Sequence, residues 1–251
     1  MKKISILLAL FALFFTDLAL AASAVVTSLS GSVQVQTGAA AARALRQGDE
    51  VVQGDTITTG PASSVVLKFD DGQVAALTAS SRMQITAYAF NAQAKTGNIL
   101  LSLVVGGMRA ITGLIGHNQP NNVKFRAATA TIGIRGSEGS IVTDGVSRVV
   151  VIVTDGAFTF TFAGETIVIP AGRGAFGVDN KVTQGTAQQI FDQLPPNFQQ
   201  QIGGLQQLTE AINQAAKGNG PPPGPPPGPP PGTPGPNGPP GGTGGGTGSN
   251  R

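Results

Sequence analysis

The sequence predicts an all-β fold: a rolled antiparallel sheet or sandwich, or an irregular β-solenoid-like domain, followed by short helices and a disordered Pro/Gly-rich tail. Three observations predict it. Turn signals built on Gly, Asp and Pro recur at short intervals between residues 30 and 180. The runs between them are β-branched or alternate apolar with polar, the period of a pleated strand. The 251-residue chain also carries 36 glycines and only 5% aromatics, the profile of a turn-rich domain with a modest core.

The first segment, 1–24, reads as a secretory signal peptide. Lys2 and Lys3 form a basic start, an apolar run from Ile4 to Phe15 follows, and Ala19-Leu20-Ala21 and Ala22-Ser23-Ala24 each fit a small-x-small cleavage site. Asp17 interrupts what would have to be apolar in a spanning helix. Cleavage is expected after Ala24, with Ala21 as the second choice, giving a periplasmic or secreted location outside the cytoplasm. No stable membrane span is expected after cleavage.

The β domain is expected over 25–180. Val25 to Val35 gives two strands joined at Ser30-Gly31. Gly48 to Gly60, GDEVVQGDTITTG, sits at the centre of the pattern: two Gly-Asp pairs, each followed by a β-branched run, read as turn, strand, turn, strand. Glycine there supplies a positive φ, and each aspartate is expected to bond its own backbone two residues on. Ser64–Phe69 and Gln73–Thr78 form a hairpin around Asp70-Asp71-Gly72. Met83–Tyr88 alternates, and Asn98–Val105 is apolar enough to predict a strand buried on both faces, turned at Gly106-Gly107.

Gly113–Asn122 is expected as a loop, then strands at Val123–Arg126 and Thr129–Ile134, with a turn at Gly136–Gly139. Val-Thr-Asp-Gly occurs at 142–145 and again at 153–156, and each copy predicts a hairpin turn. Phe158, Phe160 and Phe162 alternate with threonines, which places the rings inward. Short strands at Thr166–Ile169 and Phe176–Val178 close the domain.

A helical appendix is expected over 181–217. Thr186 caps a first helix that Pro195-Pro196 ends. Phe198 to Ala216 makes a second, with Ile202, Leu205, Leu208 and Ile212 on one face and Gly203-Gly204 weakening it. The remaining segment, 218–251, is low in complexity. Its PPPG units recur every four residues, which is not the collagen period, and it has too few apolar side chains to bury a core. A spacer is the expected role.

The ordered set of motifs resembles a FecR-type domain. The residues that carry this are Gly31-Ser32-Val33, Gly48-Asp49 through Thr59-Gly60, Val65–Leu77 (VVLKFDDGQVAAL), Leu103–Arg109 (LVVGGMR), Ala130–Ser137 (ATIGIRGS), Asp155-Gly156 and Ile169–Gly172. Together they cover roughly residues 28–178. Ser137 stands where the family usually has Thr. The resemblance implies an extracytoplasmic β module used in sensing or interaction, with no established catalysis. The signalling members of the family resemble a cytoplasmic anti-sigma segment joined by a membrane helix to a periplasmic β domain. A signal peptide here leaves no cytoplasmic part for direct sigma-factor control.

Composition narrows the function classes. The net charge is +3, and removing Lys2, Lys3 and Asp17 with the leader gives +2; the arginines are scattered, so nucleic-acid binding is not expected. The lack of cysteine excludes disulfides, thiolate metal sites and a thiol nucleophile. Gly172 to Gly177 fits G-x-G-x-x-G, yet Pro170 precedes it and no helix follows, so it reads as a glycine turn. The lone histidine, His117, reads as solvated, and Asp70-Asp71 as a turn rather than a cation site. Arg109, Arg126 and Arg135 recur near strand ends and read as salt-bridged or solvated. No catalytic, cofactor-binding or metal residue and no cofactor is assigned. The expected role is a non-enzymatic extracytoplasmic binding or sensing module whose partner is an envelope protein or glycan. The alternative is an exported structural, adhesive or assembly protein with a Pro-rich spacer.

Overall fold

The computed structural model describes residues 23–218. Residues 1–22 of the expected signal peptide, the second-choice cleavage site after Ala21 and the Pro/Gly-rich tail beyond Gly218 lie outside the described residues, whereas Ala24, the first-choice cleavage residue, is buried in β1 and pairs with Val51 and Phe69. Fifteen strands are present: β1 Ala24–Ser30, β2 Val33–Thr37, β3 Arg43–Ala44, β4 Glu50–Val51, β5 Asp55–Thr59, β6 Ser64–Phe69, β7 Val74–Leu77, β8 Arg82–Asn91, β9 Thr96–Ile111, β10 Val123–Ala127, β11 Ala130–Thr143, β12 Val149–Phe162, β13 Glu165–Pro170, β14 Arg173–Val178 and β15 Lys181–Thr186. The helices are α1 Leu114–Asn118, α2 Ala187–Gln193, α3 Pro196–Gln207 and α4 Thr209–Lys217, with a 3₁₀ turn at Pro120–Asn122.

The two Gly-Asp pairs form one turn used twice. Gly48 and Gly54 have φ of +89° and +93°. The N–H of Asp49 donates to the Arg46 carbonyl and that of Asp55 to the Val52 carbonyl, both at 3.1 Å. Positive φ at the third residue makes each a type II turn. The carboxylates accept from the N–H three residues back, Arg46 at 3.1 Å and Val52 at 2.9 Å, not two residues on as expected. The glycine has already turned the chain, so the carboxylate meets the donor at the turn's start.

Register resolves the strands into two sheets that share their longest members. In the first, β13 pairs the distal half of β12. The order continues through the proximal half of β11, β10, the first part of β9, β8, β5, β2 and β3. In the second, β15 pairs β14, which pairs the proximal half of β12; then come the distal half of β11, the end of β9, β7, β6, β1 and β4. All pairings are antiparallel except β9–β10. The result is the rolled, barrel-like alternative, in which strands pass from sheet to sheet at bends.

Those bends correct three expected turns. Gly106-Gly107, Gly136–Gly139 and the second Asp-Gly pair, Asp155-Gly156, do not reverse the chain: β9, β11 and β12 continue through them. Gly106, Gly136 and Gly156 have φ of +98°, +60° and +67°, and the β11–β12 register shifts beside the last two. Each glycine bulge bends a strand across the corner. Only the first Asp-Gly copy is a hairpin: Asp144 Oδ1 accepts the N–H groups of Val146, Ser147 and Arg148 at 2.9, 3.0 and 3.0 Å. The bend in β9 also overturns burial on both faces there, since Val104 and Val105 are 45% and 36% exposed.

The core lies between the sheets, where Ile57, Leu67, Met83, Leu101, Phe125, Ile132, Phe158 and Phe160 are fully buried and Phe162 nearly so. The outer face of the second sheet is covered by helices. Ile190, Phe198, Ile202 and Leu205 pack on Val142, Val150 and Ile152, and Ile212 and Ala215 pack on Val66, Val74 and Ala76. Thr186 caps α2 in a capping box with Gln189, as expected. The rest of the appendix differs. Residues 181–186 form β15, because the sheet edge left by β14 offers Lys181–Thr186 a ladder partner. The single helix expected over 198–216 breaks at Leu208. Gly204 is a contact residue: a Cβ there would lie 3.1 Å from Thr78 Cγ2. Residues 113–122, expected as a loop, hold α1 and the 3₁₀ turn, anchored by the buried Ile115.

Candidate functional site

Among the described residues the outer face of the first sheet carries no helix, and its composition is unusual. Strand alternation sends Val35, Ile57, Met83, Leu101, Phe125, Ile132 and Phe160 inward, so their neighbours point out. Register aligns those outward residues into one row across eight strands: Thr166, Thr161, Thr131, Arg126, Ser102, Gln84, Thr56 and Gln36. Seven strand spacings of about 4.8 Å give a polar track about 34 Å long, perpendicular to the strands. The hydroxyls are close enough to bond in places: Thr161 to Thr166 at 2.8 Å, and Thr86 to Ser102 at 2.8 Å beside the row.

At one end the track deepens. Lys124 is in register with Gly133, and Gly133 with Thr159. Gly133 has no side chain, and a Cβ would sit 2.5 Å from Thr159 Oγ1. The gap is a groove of about 430 Å³ lined by Pro120, Asn121, Val123, Lys124, Thr131, Gly133, Thr159 and Thr161. The lining offers one ammonium, three hydroxyls and an amide, and no carboxylate. Among the described residues neither Lys124 nor Arg126 makes an ion pair; the pairs are Arg43–Asp49 and Arg109–Glu138. The arrangement donates hydrogen bonds and attracts anions. Its lining has neither a carboxylate nor an imidazole.

A second groove of about 430 Å³ lies behind, between β1, β6 and α4, lined in part by Thr27, Gln47, Lys68, Gln214 and Gly218. There the Lys68 ammonium donates to the Gly218 carbonyl at the end of α4.

Of the residues weighed in the sequence, all but Arg126 fall elsewhere. Gly172 turns the chain at φ +78°, and Arg173–Val178 is a strand with no helix after it. Gly174 and Gly177 serve packing, since a Cβ would lie 2.9 Å from the Val151 carbonyl and from the Phe162 ring. His117 is exposed in the last turn of α1, beside Gly136. Arg109 pairs with Glu138, whereas Arg126 stands on the track. Arg135 enters by its backbone, in register with Ala157.

Asp71 is buried at the β6–β7 hairpin. Its carboxylate accepts from Gln73 N–H at 3.1 Å and Ile115 N–H at 3.3 Å, and its carbonyl accepts from Leu114 N–H at 2.8 Å. Burial raises its pKa; the two N–H bonds oppose that and the Asp70 charge adds to it. The role is to lock the hairpin to α1. Among the described residues no group of His, Asp and Glu is placed to hold a metal ion, and no helix is long and apolar enough to cross a membrane.

Sequence reasoning missed the track. Its signal was present in the alternations QVQ at 34–36, TIT at 56–58, QIT at 84–86, KFR at 124–126 and TFT at 159–161. Each marks one polar face, but only register joins them.

Among the described residues the two-sheet β scaffold has one face covered by helices and one polar face without them. The family model described as FecR protein matches residues 55–158, from the start of β5 into β12. Two crystal structures of a candidate anti-sigma factor from Parabacteroides distasonis ATCC 8503, at 1.65 and 2.50 Å resolution, are similar at 12% identity with TM-scores of 0.43 and 0.44. Each alignment covers 52% of this chain and 59% of that protein, so the chain spans a little over half of its length. No curated protein matches the chain.

Proposed function

We propose that the protein is an exported, non-enzymatic sensing or binding module of the FecR type that engages an envelope partner through the open face of its first sheet. The observation that carries this reading is the FecR match over 55–158, which includes most of the groove-forming strands. The leader-like sequence 1–24 supports export, the domain expected over 25–180 is completed by β15 at 181–186, the helices of 187–217 brace its back, and 218–251 act as a spacer. The lining of the groove supports binding over catalysis, because it pairs a cation with hydroxyls and offers neither a carboxylate nor an imidazole.

Fractionation of the tagged native protein, with N-terminal sequencing, tests the export part. A product outside the cytoplasm beginning near Val25 is expected. An uncleaved product held in the membrane overturns it and directs the search to a membrane partner.

A further inference from the structure

We infer that the polar track binds a linear anionic saccharide, a chain of hydroxyl-bearing units with carboxylates, lying across the strands with its charge at Lys124 and Arg126. This deepens the binding reading above and rests on the same face.

Four observations converge. Lys124 and Arg126 share the outer side of β10, two residues apart, and no carboxylate lines the groove beside them. An anion is the complement to that charge. Thr131, Thr159 and Thr161 surround the groove with groups that both donate and accept, the pattern that sugar hydroxyls match. The track follows the sheet for about 34 Å, so it fits an extended chain of several units and exceeds what a single small anion needs. Finally, the row lacks aromatic and large apolar side chains, the anchors on which protein interfaces depend. An acidic polysaccharide satisfies all four; an acidic protein segment satisfies the charge alone.

The test is titration of the purified full-length mature chain with a galacturonate oligomer, followed by amide chemical shifts and calorimetry. Controls are a neutral dextran oligomer, polyglutamate and inorganic phosphate. Saturable binding of the galacturonate oligomer is expected, with shifts at Lys124, Thr131 and Thr161. Lys124→Gln with Arg126→Gln is expected to weaken it by about tenfold or more, and Thr131→Val with Thr161→Val to weaken it without moving the melting temperature. Absence of saturable binding overturns the inference, as does equal affinity for dextran or polyglutamate, or for phosphate. Should a variant fail to fold, shifts confined to other faces of the native protein overturn it equally. Export is read separately by fractionation, so saccharide binding by a protein that stays in the cytoplasm would sink the export reading and leave this one standing.

Discussion

The backbone N–H of Asp71 donates to the Tyr88 hydroxyl at 3.0 Å. That bond joins the β6–β7 hairpin of the second sheet to β8 of the first, beside the contact of the Phe69 and Tyr88 rings at 5.4 Å. Tyr88→Phe keeps the ring and removes the oxygen, leaving a buried N–H unpaired. A loss of about 1–3 kcal/mol is expected, measured by urea denaturation. An unchanged midpoint would show that the hairpin is held by α1 alone.

Asp71 also sets a pH dependence. Burial, ahead of the opposing bonds from Gln73 and Ile115, lifts its native pKa above the ordinary 3.8. The native state therefore holds the proton more tightly than the unfolded chain. The contribution from this group is full below the unfolded pKa and declines as pH rises from about 4 through the raised native value. Asp71→Asn is expected to flatten that segment of the stability profile. The check is the urea midpoint across the acid range for both proteins; parallel curves would count against the assignment.

Gln73 is fully buried, and neither its amide nitrogen nor its amide oxygen has a protein partner. An unmade buried hydrogen bond costs about 1–3 kcal/mol. Gln73→Met, similar in length and apolar, is expected to leave stability unchanged or raise it by about 1 kcal/mol. Thermal melting reads this directly, and a clear fall would reveal a polar contact in solution.

The corner glycines differ from the loop glycines. At Gly156 a Cβ would meet Ser137 Oγ at 2.5 Å and the Gly136 carbonyl at 2.8 Å; at Gly164 it would meet nothing within 4 Å. Both have positive φ. Gly164→Ala is expected to cost about 1 kcal/mol from backbone strain alone. Gly156→Ala adds steric overlap with a paired strand and is expected to exceed about 3 kcal/mol. Similar losses at the two positions would contradict the corner geometry.

Much of this architecture was legible because its signals are local. Type II turns at Gly48 and Gly54, the hairpin at Asp144-Gly145, the capping box at Thr186 and the inward Phe158–Phe160–Phe162 face all follow from neighbouring residues. What escaped is non-local. Asp155-Gly156 has the same letters as Asp144-Gly145, but β11 bulges opposite it and keeps β12 extended. A glycine pair between apolar runs permits a reversal or a bend, and a distant strand decides between them. The polar track escaped for the same reason: Thr131 and Gln84 become parts of one row only when β9 and β10 lie between β11 and β8.

The helices have a geometric consequence. They cover the second sheet, and α4 ends at Gly218 beside Lys68, on the side away from Lys124 and Thr131. A tether, a surface linkage or a fused reporter joined at Gly218 would grip the domain like the handle on the back of a dish, on the side opposite its hydroxyl-lined front.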